Sequence, residues 1–249
     1  VFIAKYDSAF NYLWAKAIGA YSREESALGM AVDADGSVYA IGTFSQSVDF
    51  NPDTGTFIIT STGIEKSLFI LKLNAAGQFV WAKSNANIGG VVSGYNEADI
   101  AVDKDKFVYI TSAFWDSTDL DPGPGTQIFH TTSNRPPMYI QKLDAQGNFV
   151  WAETATGKSS GYEMTVDSLF NIYITGEYVD SVDIDPGSGN FKLENLSSGF
   201  MNGRDYFILK LSQDSCSNFS LTFDSTHNVA CGSPAYASVE LSSGTPPYS

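Results

Sequence analysis

Phe69-Ile70-Leu71-Lys72-Leu73-Asn74-Ala75-Ala76-Gly77-Gln78-Phe79-Val80-Trp81-Ala82-Lys83 holds two runs of aromatic and branched residues on either side of a short polar turn. Side chains alternate along a strand, so Phe69, Leu71 and Leu73 share one face while Ile70 and Lys72 share the other. Apolar residues on both faces need cover on both, and a lysine stem can lie on apolar surface while its ammonium reaches water. Asn74-Ala75-Ala76-Gly77 has hairpin chemistry, with a glycine that takes positive φ at little steric cost. The stretch predicts a β-hairpin buried on both sides.

The same stretch recurs. Phe2-Ile3-Ala4-Lys5-Tyr6, Tyr139-Ile140-Gln141-Lys142-Leu143 and Phe207-Ile208-Leu209-Lys210-Leu211 repeat its first half, with lysines 67, 70 and 68 residues apart. Its second half returns as Tyr12-Leu13-Trp14-Ala15-Lys16 and Phe149-Val150-Trp151-Ala152-Glu153. Between them lies a third pattern, Ala31-Val32-Asp33-Ala34-Asp35-Gly36-Ser37-Val38-Tyr39, matched from Ala101-Val102-Asp103 to Val108-Tyr109 and from Thr165-Val166-Asp167 to Ile172-Tyr173. Each repeat therefore predicts four short strands. Lys106 and Phe170 stand where the first copy has Gly36, which predicts that those two hairpins turn differently.

A four-stranded sheet of this size cannot cover both of its own faces, whereas radial stacking of successive sheets covers them and protects the edges, as in β-propellers. Trp14, Trp81 and Trp151 then fill the space between neighbouring sheets. The expected fold is all-β: β-propeller blades of four strands over residues 1–212, repeating every 67–70 residues, then a truncated β-sandwich-like module over 213–249. With the Ala-Val-Asp strand innermost, the blades run from about Gly29 to Lys83, Ala98 to Glu153 and Glu163 to Leu211. The first residues supply the last two strands of an earlier blade, and the third blade lacks its Phe-Val-Trp strand. Propellers usually need four to eight blades, which leads us to expect further upstream blades.

The recurring F-I-x-K-L, G-x-F-V-W-A-K, A-V-D-x-x-G-x-V-Y and V-D-F-D-P-G strings resemble the SBBP-type β-propeller repeats of Bacteroidetes surface proteins. Beyond Ser212 the repeat stops, and Ser243-Gly244-Thr245-Pro246-Pro247-Tyr248-Ser249 resembles the start of an SprB-type adhesin repeat, an immunoglobulin-like β module. Ser243 departs from that pattern's first glycine. The resemblance implies a secreted or cell-surface protein exported by type IX secretion, working in adhesion through protein or carbohydrate ligands, with further blades and repeat domains as its neighbours in a longer chain.

Composition bounds the partners. Lys and Arg number 14 against 28 Asp and Glu, and the net charge of −14 works against nucleic acid and anionic membranes. No apolar run reaches the length that spans a bilayer. Cys216 and Cys231 are the only cysteines, both near the C-terminus, and spacing leaves a disulfide and two separate thiols equally open.

Few residues suggest chemistry. Asp49-Phe50-Asn51-Pro52-Asp53 recurs as Asp119-Leu120-Asp121-Pro122 and Asp183-Ile184-Asp185-Pro186. Alternate oxygen ligands from Asp49, Asn51, Asp53, Asp119, Asp121, Asp183 and Asp185 would suit Ca²⁺. Asp before Pro or Gly also initiates a turn, with its carboxylate bonding nearby amides, and that explains the motif without a ligand. Calcium is the one cofactor the sequence brings into view. Trp115 lies outside the tryptophan period, aligned with Ser45 and Val179, and could stack on a sugar or pack on a loop. Tyr21, Tyr95 and Tyr162 lie in the linking segments and could line a ligand rim or simply pack there. His130 aligns with Thr60 and Glu194, and His227 lies in the C-terminal segment, so neither marks a catalytic base. No nucleophile elbow, zinc helix or phosphate loop occurs. We therefore expect a noncatalytic binding or display protein. The alternatives are a carbohydrate-binding propeller or part of a polysaccharide-processing enzyme, whose catalytic acid should break the repeat.

Overall fold

The computed structural model describes residues 1–19, 25–61, 66–87, 97–131, 136–185, 190–194, 203–213 and 237–239. Every regular element among them is a strand. A leading pair, β1 (Phe2–Tyr6) and β2 (Tyr12–Ala17), precedes three units. The first unit holds β3 (Ser26–Val32), β4 (Val38–Phe44), β5 (Ser47–Asp49), β6 (Ile58–Thr60), β7 (Ser67–Leu73) and β8 (Phe79–Asn87). The second holds β9 (Ala98–Val102), β10 (Val108–Ala113), β11 (Ser117–Asp119), β12 (Ile128–His130), β13 (Met138–Leu143) and β14 (Phe149–Thr154). In the third come β15 (Thr156–Val166), β16 (Ile172–Asp183), β17 (Lys192–Glu194), β18 (Arg204–Leu211) and β19 (Ala237–Val239).

The four motif strands of each complete unit pair antiparallel in chain order, β3-β4-β7-β8 and β9-β10-β13-β14. Register follows the repeat: Lys72 lies opposite Trp81, and Lys142 opposite Trp151. In the third unit β15-β16-β18 keep this order, and β19 takes the fourth place by pairing Lys210 with Ser238. That outer place, empty in the sequence reading, is thus filled from beyond Ser212. The rest of the module expected over 213–249, Cys216 and Cys231 included, lies outside the described residues apart from Gln213.

Both faces of the central strands are buried. We call the face toward the preceding unit proximal and the opposite one distal. Distal Tyr39, Ile41, Leu68 and Ile70 of the first unit pack with proximal Val108, Ile110, Tyr139 and Leu143 of the second. Distal Tyr109, Met138 and Ile140 then pack with Ile172, Ile174, Phe207, Leu209 and Leu211 of the third. Ile3 and Ile18 of the leading pair meet Phe69, Leu71 and Leu73 of the first unit in the same way. The core is therefore a series of layers between sheets. Strands β3, β9 and β15 touch in succession along one edge of the series, and among the described residues no sheet closes on itself.

Each unit also carries an accessory hairpin that the four-strand reading omits. Strands β11 and β12 form it in the second unit, and β11 pairs with β8 of the first, with Asp119 opposite Ala86. In the third unit Asp183 pairs instead with Thr156 at the start of β15, and in the first β5 and β6 pair only with each other. In the second unit the acidic motif thus reaches back to the preceding sheet's outer strand. Its middle residue, Phe50, Leu120 or Ile184, is buried in the layer between sheets.

The turns correct one expectation. Gly36, Lys106 and Phe170 all have positive φ, at 80°, 68° and 66°, so the three hairpins share one turn. In each, the turn's first Asp carries the geometry. Asp103 Oδ1 accepts from Asp105 N and Phe107 N, both at 2.9 Å, and Asp33 and Asp167 do the same in their copies. This clamp holds a non-glycine residue in the left-handed region, a conformation that costs about 1–2 kcal/mol for an L-residue. The β7–β8 hairpin uses the same loop with Asn74 as the clamp and Gly77 at φ 76°.

Neighbouring units are also tied by directed hydrogen bonds. Lys5 Nζ and Trp14 Nε1 both donate to Ala75 O at 3.2 Å, and Lys72 Nζ and Trp81 Nε1 donate to Ala145 O at 3.3 and 3.1 Å. At the third junction Lys142 Nζ donates to the side-chain Oε1 of Gln213 at 2.7 Å. Beneath Lys72 and Lys142 a tyrosine ring lies within cation–π range, and its hydroxyl donates to the clamp Asp: Tyr39 to Asp33 and Tyr109 to Asp103. Lysine, tryptophan, tyrosine and aspartate of the repeat thus form one set of contacts joining sheet to sheet.

Candidate functional site

The acidic hairpins carry the seven oxygen donors noted in the sequence. Asp49 Oδ1 accepts from Asn51 N at 3.0 Å and Phe57 N at 2.8 Å. Asp119 Oδ1 takes Asp121 N and Gln127 N, and Asp183 Oδ1 takes Asp185 N and Phe191 N. The second residue of the motif caps the next turn, with Asn51 Oδ1 accepting from Asp53 N and Asp121 Oδ1 from Gly123 N. Asp53 accepts from Lys16 Nζ at 2.6 Å and from Phe79 N, and the bond from Lys16 holds its carboxyl below the usual range. The side-chain oxygens of Asp49, Asn51, Asp53, Asp119, Asp121 and Asp183 thus face amides or a lysine. Among the described residues no three His, Cys, Asp or Glu side chains gather as metal ligands.

Trp115 is half-buried where β10 leads into its accessory hairpin. His130 Nδ1 lies 2.8 Å from Ser117 Oγ across that hairpin, and Ser47 Oγ meets Thr60 Oγ1 at the same distance one unit earlier. The histidine occupies a cross-strand pairing position. Tyr21, Tyr95 and His227 lie outside the described residues.

Tyr162 proves more informative. It sits at a bulge in β15, between Gly161 and Glu163, where the pairing register with β16 shifts. Its hydroxyl bonds Glu177, and burial, that bond and the charges of Glu97 and Glu177 raise its pKa. Glu177 is buried and accepts from Arg204 Nη1, whose side chain is partly exposed. Glu97 enters from just before β9, bonded by Ser160. Burial and the charge of Glu177 push its carboxyl above the ordinary range, with Arg204 pulling the other way. Glu97 Oε2 is buried without a hydrogen-bond partner. Tyr162, Ser160, Glu97, Glu177 and Arg204 thus form one polar cluster between the second and third units, close to the edge where β9 and β15 touch.

Only Tyr162 of these five stood out in the sequence. Superposing the units shows why the others matter: Glu177 stands where the earlier units have Thr43 and Ala113, and Arg204 where they have Lys66 and Pro136. A lone Glu or Arg in a strand carries no local signal, and this one emerges only when the copies are compared. An exposed guanidinium between two carboxylates beside a phenol offers donors and acceptors at close spacing, suited to a polyhydroxyl or cationic group.

No family model matches the chain, and no curated protein does. The crystal structure of a protein of unknown function from Bacteroides caccae is similar at 10% identity with a TM-score of 0.27, over 79% of this chain and 65% of that one. This chain therefore spans less than two thirds of that protein's length.

Proposed function

We propose that the chain is a stretch of β-propeller blades from a secreted or cell-surface protein, working in adhesion as a noncatalytic binding and display module. Sheets stacked face to face, with β3, β9 and β15 touching in order, suit blades arranged around an axis. The observation that carries the binding reading is a division of labour. Polar residues that recur in every unit cap turns and tie sheets together, whereas the unrepeated Glu97, Tyr162, Glu177 and Arg204 gather at one rim. A rim that departs from the repeat is where a ligand-specific surface belongs. The ligand class that fits is a carbohydrate or a polar protein surface, and the SBBP-like and SprB-like strings suit a bacterial cell surface. Glycan-array binding by the folded chain, lost in Arg204→Ala and Tyr162→Phe while the fold persists, is the expected result. An array at background for the unaltered protein overturns it.

One observation favours a second reading. Burial and the charge of Glu177 push the Glu97 carboxyl upward, and a carboxyl held up beside a second carboxylate is how glycan-cleaving sites supply a general acid. Turnover of a glycan that disappears in Glu177→Gln would establish that reading in place of the first.

A further inference from the structure

The joint between the second and third units is lined with carboxyl groups from both sides. On β14 Glu153 takes the place that Lys16 and Lys83 hold in the earlier outer strands. Lys16 meets Asp53 of the next unit at 2.6 Å, and Lys83 lies along the next unit's outer turn at Gly147, where its charge reaches Asp144. Glu153 instead faces the buried Asp185 of the third unit. At the inner edge Asp99 of β9 stands where the first unit has Gly29. Its Oδ2 accepts from Met164 N of the third unit at 2.7 Å, and the charge of Glu163 lies close by. Glu97, just before β9, bonds Ser160 and faces Glu177 and Arg204, all of the third unit. Three carboxyls of one sheet thus oppose three of the next.

We infer that this joint is governed by protons: it is closed while Glu97, Asp99 and Glu153 are neutral, and it loosens the third unit from the second once they ionise. Like charges brought together in a water-poor joint repel, and each bound proton removes one such repulsion. Burial is the first cause at all three groups and raises them above the ordinary carboxylate range. The charge of Asp185 adds to it at Glu153, which reaches about 7. At Asp99 the amides of Met164 and Ile100 oppose the rise and Glu163 adds to it, and at Glu97 Ser160 and Arg204 oppose it while Glu177 adds. With folded values above the ordinary ones, the stabilisation is complete below the ordinary carboxylate range. It is lost as pH rises through the raised values, for Glu153 through about 7. The joint between the first and second units has Gly29 and Lys83 in two of the three places and keeps its hold across that range. Because Glu97 comes from the second unit and Tyr162, Glu177 and Arg204 from the third, loosening also parts the rim cluster. The joint works in this way whether or not that rim holds a glycan.

Native-state hydrogen exchange of the whole chain, read by mass spectrometry near pH 5 and near pH 8 and corrected for intrinsic rates, tests it. Protection of β15, β16 and β18 is expected to fall roughly tenfold or more at the higher pH, while β4 and β7 of the first unit keep theirs. In Glu97→Gln/Asp99→Asn/Glu153→Gln, whose amides match the neutral acids in shape, the third unit should stay protected at both values. Glu153→Gln alone, at the outer border, should recover part of the loss and serves where the triple variant does not fold. Equal loss in the first and third units, or no loss in the third, overturns the inference. So does a loss undiminished in the triple variant, or in Glu153→Gln where only that variant folds.

Discussion

The junction between the first and second units and that between the second and third share one backbone plan, and a buried polar contact at the earlier one is replaced by an apolar one at the later. At the earlier junction Asn85 and Gln141 exchange amide hydrogen bonds, Nδ2 to Oε1 at 2.9 Å and Nε2 to Oδ1 at 3.1 Å, and Gln141 also donates to Leu120 O. Both side chains are buried. At the later junction the same positions hold Ala155 and Leu209, and at the earliest Ile18 and Leu71, all buried and apolar. The contact is therefore polar on both sides or apolar on both sides. A buried amide is tolerated when its partner is present, because the cost lies in leaving a polar group unpaired, not in having one.

The largest effect is expected where either junction loses its ring. Trp81→Ala removes a large side chain and the donor to Ala145 O, and should lower stability by about 3 kcal/mol in denaturant unfolding, whereas Trp115→Ala, outside the repeated set, should cost much less. Equal losses would remove the repeated tryptophans from the joint between sheets. Next, Gln141→Leu alone imposes the later junction's residue on one side only and leaves the buried Asn85 amide with its 3.4 Å bond to the Tyr139 hydroxyl and its carbonyl oxygen without the Gln141 donor. We expect a loss of about 1–3 kcal/mol, largely recovered in the double variant Asn85→Ala/Gln141→Leu. Additive losses would show that the pair does not act as a unit.

A charge difference between junctions gives the third test. Lys16 and Lys83 of the earlier outer strands are replaced by Glu153 in the later one, where burial and then the charge of Asp185 push its carboxyl up to about 7. The folded pKa lies above the ordinary value, so the fold favours the protonated form. Its contribution is complete below the normal carboxylate range and is lost as pH rises through about 7. Glu153→Lys should raise the melting temperature above pH 7 and have less effect near pH 5. Parallel pH profiles for the two proteins would exclude this mechanism.

The smallest effect concerns the shared turn. Lys106→Gly should stabilise by about 0.5–1 kcal/mol, because the clamped turn needs positive φ and glycine supplies it without strain. The lost ion pair with Asp35 joins two exposed side chains and offsets little of that gain. Gly77→Ala should do the opposite, since a Cβ there would stand 2.8 Å from the Trp14 ring. A neutral Lys106→Gly would mean that the Asp103 clamp already removes the strain.

Much of this architecture is legible in the sequence, because strand alternation and large rings repeat at fixed spacing. Phe69 to Lys83 predicts its hairpin, its two buried faces and its place in a repeat without reference to distant residues. The turn at Lys106 escapes the same reading, since residue type argues against positive φ and only the hydrogen bonds of Asp103 overrule it. The backward reach of the second unit's accessory hairpin is equally hidden: Asp119 pairs with Ala86 across a unit boundary, and main-chain pairing leaves no pattern in side chains. As for the polar rim, Tyr162 could be picked out as an unusual linker residue, but Glu177 and Arg204 acquire meaning only from what stands at their places in the sister units.

The acceptor that receives both lysine and tryptophan at the first two junctions is a main-chain oxygen, of Ala75 and of Ala145. A peptide carbonyl is present whatever residue carries it, so the receiving side of the joint is indifferent to mutation. An ancestral gene could therefore duplicate, delete or shuffle whole units, and each new neighbour would already possess the socket its predecessor needs. Where the third junction departs from this rule, at Gln213, the socket has moved onto a side chain, and there the receiving side can be lost by a single amino-acid exchange.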